Sequence, residues 1–84
     1  MKYIYEKGMD LRKLLKNMKK NDVLQVEGFY ILDLEKAMKD SGIDDIISLE
    51  GEFSLFGRTF IKQEFNELNI PDMFSEVIRI RRVE

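Results

Sequence analysis

The chain has no cysteine, no histidine, no tryptophan and a single proline among its 84 residues. Without cysteine there is neither a disulfide framework nor a thiolate metal site. Without histidine, Ser-His and Cys-His nucleophile pairs, imidazole-ligated zinc and any side chain titrating unperturbed near neutrality are excluded together. Catalysis would have to rest on carboxylates, Lys, Arg, Tyr or a hydroxyl, and the expectation for a chain of this size is a protein that is not an enzyme.

Other absences narrow the reading further. Neither GxGxxG nor GxxxxGK[ST] occurs, and the five glycines stand singly, so no phosphate-cradling loop is indicated. The stretch Asp40 to Asp45 (DSGIDD) lacks the ligand spacing and closing glutamate of a calcium-binding loop. No cofactor and no metal are therefore expected. No apolar run approaches the roughly 18 residues of a membrane span, and MKYIYEKGMD lacks the apolar stretch of a signal peptide. The corresponding expectation is a soluble, cytoplasmic protein that does not engage membranes.

What is present suffices for a core: 44% of residues are hydrophobic, with six Phe and three Tyr. Asp44 to Phe65 carries the longest alternation. Ile47, Leu49, Phe53 and Leu55 share one parity, and Ser48, Glu50, Glu52 and Ser54 the other, as in a strand with one buried face. Phe56-Gly57 supplies a turn, and Arg58 to Lys62 returns antiparallel.

Lys2 to Lys7 reads as a first strand broken by Gly8. From Asp10, a natural N-cap, the period changes: Leu11, Leu14, Leu15 and Met18 form one stripe of a helix to about Lys20. Its outer face holds Arg12, Lys13, Lys16, Lys19 and Lys20, the last two placed to complement the carbonyl end of the dipole. Val23 to Val26 and Phe29 to Leu32 read as two extended runs around Glu27-Gly28, or as one strand bulged at Gly28. Asp33 is expected to cap a second helix, Leu34 to Asp40, closed by Gly42 with Ile43 packing back. Glu64 to Asn69 and Pro71 to Ser75 are expected as short helical turns, and Glu76 to Val83 (EVIRIRRV) as a closing strand with Ile78 and Ile80 inward. The sum is one α+β domain over residues 1–84: a mostly antiparallel sheet of four or five strands with two helices packed on one face.

Charge is segregated along this frame. Residues 1–39 hold nine Lys/Arg and six Asp/Glu, residues 40–76 two and nine, and residues 77–84 three and one, giving nets of plus 3, minus 7 and plus 2. Asp44 and Asp45 lead into Glu50 and Glu52, expected on one outward strand face roughly 6.5 Å apart, near the spacing of successive phosphates on an extended nucleic acid. Such a row suits docking on a protein partner with a basic surface, and Phe56 at the hairpin tip would anchor that interface if it is exposed, or fold back onto the core. The functional expectation is a small regulator or inhibitor of a nucleic-acid-handling enzyme, a description that a phage protein blocking a host defence nuclease would fit.

Two alternatives compete. The cations of the first helix, with Arg79, Arg81 and Arg82, could track a nucleic-acid backbone, although the net charge of minus 2 argues for weak binding at most. Alternatively, the chain could be a structural subunit that forms homo-oligomers by pairing its C-terminal strand with a copy. The bland reading of Arg79 and Arg81 is cross-strand pairing with Glu50, Glu52 or Glu64.

Overall fold

A computed structural model describes residues 1–66 and 76–84. Its sheet is assembled around the last strand of the chain. β5 (Glu76–Arg82) pairs antiparallel with β2 (Val23–Glu27) on one side and with β4 (Arg58–Asn66) on the other. β3 (Gly51–Leu55) lies outside β4, and β1 (Lys2–Ile4) lies parallel to β2, giving the order β1-β2-β5-β4-β3. With two helices this is the expected α+β arrangement. The interior place of β5 removes one expectation: both of its edges are already hydrogen-bonded, so it has no free edge to offer a copy of itself.

The alternation in β5 places Ile78 and Ile80 in the core, in register with Val26 and Leu24 of β2. Phe60, opposite Phe53 with ring centroids 5.6 Å apart and nearly parallel planes, extends the apolar face across the hairpin. Arg79 points to the other side. It lies over the Phe65 ring at 4.6 Å and donates from Nε to Gln25 Oε1 at 3.0 Å, so it meets β4 and β2 through an aromatic and an amide instead of the expected carboxylates.

α1 (Leu11–Asn17) is capped by Asp10, whose side chain accepts from the Lys13 N–H at 3.1 Å, and buries Leu11 and Leu15. It ends sooner than its cations suggest. Met18 is already extended, and Asp22 closes the next turn by accepting from the Lys19 N–H at 2.8 Å, so Lys19 and Lys20 lie beyond the helix and not in its last turn. The carbonyl end is served instead from a distance: Arg58 donates to the Lys16 carbonyl, and Arg82 to that of Met18 at 2.7 Å.

After β2 the chain does not continue as a second extended run. Gly28–Tyr30 form a 3-10 turn that feeds α2 (Ile31–Asp40). Ile31, Leu34 and Met38 recur at i, i+3 and i+7 and are all buried, a helical period that outweighs the strand preference of Phe29, Tyr30 and Ile31. Asp33 therefore sits in the first turn and is not the cap. The C-terminal expectation holds: Gly42 has φ +96°, its N–H bonds to the Lys39 carbonyl, and the Ile43 N–H bonds to that of Met38, a Schellman closure.

In the hairpin, Phe56 and Gly57 both have positive φ (53° and 71°), the two-residue type I′ turn whose twist matches the flanking strands. β3 starts only at Gly51, where φ of +79° interrupts the alternation expected from Ile47. Ile46 enters the core fully, while Ile47 remains 39% exposed. At the other end β4 continues through Asn66, replacing the start of the helical turn expected at Glu64. The rest of that turn, and the turn expected at Pro71 to Ser75, lie outside the described residues.

Candidate interaction surface on the α2–β3 connection

Residues 40–52 contain five carboxylates and no Lys or Arg. Asp40 ends α2, Asp44 and Asp45 follow the Schellman turn, Glu50 precedes β3, and Glu52 lies on it; all five are exposed. The expected row of Glu50 and Glu52 on one strand is not formed, because the positive φ of Gly51 separates a loop residue from a strand residue. Glu52, opposite Ile61, projects from the sheet face away from the helices, since Phe53 and Leu55 take the helix side.

The connection is held at three points. Ile46 plugs the core. Asp45 accepts from the Ser48 N–H at 3.1 Å, and this bond, assisted by the Ser48 hydroxyl, draws the Asp45 carboxyl below the ordinary carboxylate value. The third is Lys62 of β4, whose side chain is only 2% exposed and whose ammonium donates to the carbonyls of Ile47 at 2.7 Å and Leu49 at 3.0 Å while pairing with Glu64. Lys62 has the parity of Phe60 and points to the core side of the sheet. A charged residue at a core-parity position was the signal in the sequence that could have revealed this clamp.

Besides Lys62, a cation of α2 feels the charge of the connection. Lys39 pairs with Glu35 at 3.0 Å, and its ammonium is raised above the usual lysine value by Glu35 first, with Asp45 and Asp44 contributing. Glu50 and Glu52 are exposed and, among the described residues, in no ion pair.

Phe56 is not brought to the carboxylates. It occupies the far end of β3, half-buried against the core, with Lys16 Nζ 4.9 Å and the Arg12 guanidinium 6.0 Å from its ring centroid. The aromatic folds back on α1 instead of standing at an exposed tip. Lys13 remains exposed on the adjoining surface, whereas Arg58 and Arg82 are committed to the carbonyls of Lys16 and Met18.

A cleft of about 330 Å³ opens between the β1–α1 connection and α2, lined in part by Tyr5, Lys7, Arg12, Asp33, Lys36 and Asp40. Tyr5 donates to Asp33 Oδ2 at 2.9 Å, and burial first, then the neighbouring Asp33, raises its phenol above the usual tyrosine value, so it serves there as a proton-bearing donor. Lys7 Nζ lies 3.9 Å from the same Asp33 oxygen, so the carboxylate of the cleft is already engaged by the tyrosine and a lysine of its own wall. Among the described residues no cluster of three or more acidic side chains could hold a metal ion, and no helix is long and apolar enough to cross a membrane. No family model, curated protein or solved structure matches the chain.

Proposed function

We propose that the protein is a non-enzymatic regulator or inhibitor that docks its α2–β3 connection on the basic surface of a protein partner, of the kind found on enzymes that handle nucleic acid. The observation that carries this reading is the Lys62 clamp on the carbonyls of Ile47 and Leu49. It holds an acidic segment, free of Lys and Arg, in one conformation before any partner arrives. Pre-organised charge loses little conformational freedom on binding and steers the encounter, raising the association rate more than the final affinity.

The test is charge reversal. Asp44→Lys, Glu50→Lys and Glu52→Lys together leave the fold intact, since all three are exposed and none makes a hydrogen bond that shapes the loop, whereas Asp45 does and is spared. Against the partner captured from the native host, association measured by surface plasmon resonance slows about tenfold or more at low salt, and the difference shrinks as salt rises. Lys13→Glu with Lys20→Glu leaves it unchanged; the reverse pattern overturns the proposal.

A second reading has its own observation. Phe56 sits beside Arg12 and Lys16, giving the basic face of α1 the aromatic neighbour that a nucleic-acid platform uses.

A further inference from the structure

β3 ends the sheet, and among the described residues no strand pairs with its outer edge. In a type I′ hairpin the residues flanking the two-residue turn form a hydrogen-bonded pair, here Leu55 with Arg58, and the alternation of an antiparallel ladder makes Phe53–Phe60 and Gly51–Lys62 the next such pairs. Leu55, Phe53 and Gly51 therefore spend their backbone groups on β4. The N–H and C=O of Glu52 and Ser54 point the other way, and among the described residues no hydrogen bond reaches them.

Exposed edges are usually blunted by lysine, proline or a covering element. The opposite edge follows that pattern in part: β1 is three residues long, carries Lys2, and is preceded by the Met1 amine, which is tied to Asp22. The β3 edge has only Glu52 and Ser54 outward, with Glu50, Asp44 and Asp45 on the connection that leads into it. We infer that the β3 edge takes up an extended, basic segment of the partner as a sixth strand, main-chain bonds to Glu52 and Ser54 setting its register and the surrounding carboxylates selecting its Lys and Arg side chains.

Charge decides the occupant. A second copy paired through this edge would bring one carboxylate-rich connection against another, with no Lys or Arg in either, and like charges across a strand pair are destabilising. A basic strand meets opposite charge at the same positions, the combination by which strand addition obtains affinity from the backbone and selectivity from side chains. The inference rests on the acidic-surface reading and adds to it the conformation of what is bound.

The probe is a short end-capped peptide alternating Lys and Thr, compared at low salt with the same peptide N-methylated at alternate amides, which keeps the charge and removes the donors from one edge. The expected result is slowed hydrogen exchange at the Glu52 and Ser54 amides by about tenfold or more with the unmodified peptide, and binding weakened about tenfold by N-methylation. Equal binding of both peptides, with amide shifts at Asp44, Asp45 and Glu50 but no protection of Glu52 or Ser54, overturns strand addition and leaves the acidic surface standing. Absence of binding by either peptide removes both. Protection of the two amides in the protein alone, with a doubled mass in sedimentation, assigns the edge to a second copy and overturns the inference.

Discussion

The ammonium of Lys62 lies 2.7 Å from the carbonyl oxygen of Ile47, a side chain in the middle of the sheet holding the backbone of a loop fifteen residues earlier in the chain. Removing it leaves the carbonyls of Ile47 and Leu49 without their charged donor, so Lys62→Met should cost about 2 kcal/mol of stability. The loss is confined in structure. Hydrogen exchange across residues 44–50 should accelerate well before the β4–β5 ladder is affected, as measured by exchange mass spectrometry. Uniform acceleration of both regions would show that the lysine supports the whole sheet and not the loop in particular.

Acid should unfold the protein partly through Asp22. Its carboxylate accepts from the Lys19 N–H at 2.8 Å and from the Met1 amine at 3.0 Å, and these bonds, the backbone one first, draw its carboxyl below the ordinary value. A depressed carboxyl contributes stability above its unfolded value, near pH 4, which is lost as pH falls through the lower folded value. The Tm of the native protein should therefore fall through that window. Asp22→Asn should melt lower at neutral pH and show a shallower acid limb, the two curves converging at the acid end; parallel curves would remove Asp22 from the account.

The stripe of α1 is uneven, and its two adjacent leucines separate the consequences. Leu15 is completely buried, whereas Leu14 is only half-buried at the margin of the core. Leu15→Ala should cost about 3 kcal/mol and lower Tm by roughly 15 °C, while Leu14→Ala should cost about 1 kcal/mol. Equal losses in thermal melts would mean that the helix is rotated from the orientation described.

Local periodicity made much of this fold legible. The Asp10 cap, the Gly42–Ile43 closure, the Gly57 turn and the strand around Ile78 and Ile80 each depend on residues within a few positions of one another. The failures at the starts of α2 and β3 are local, a helical period at Ile31, Leu34 and Met38 and the positive φ of Gly51, but others arise from distance along the chain. Lys16 and Met18 receive their capping donors from Arg58 and Arg82, far along the chain, and the local mark of the helix end is Asp22, which accepts from the Lys19 N–H. The Arg79 and Arg81 alternation resembles an edge strand, yet Phe65 and Gln25 accommodate Arg79 at the sheet centre. The acidity of residues 40–52 was visible at once; the shape of the connection was not, because Gly51 turns it and Lys62 holds it.

Arg12 and Lys16 are drawn over the Phe56 ring, Arg58 and Arg82 are occupied by helix carbonyls, and Lys13, Lys19 and Lys20 remain as exposed cations on α1 and the turn that follows it. So few free charges, on a chain of net charge minus 2, release few counterions from a nucleic-acid backbone. Gel-shift titration with single-stranded DNA should give weak binding whose logarithmic salt slope is no steeper than about minus 3, and Lys13→Glu should reduce that slope by about one. Phe56→Leu should change the affinity little, because the ring is engaged by its own cations and is half-buried. Tight, sequence-selective binding at physiological salt, lost in Phe56→Leu, would make the α1 face the working surface and demote the acidic connection to a solvated loop.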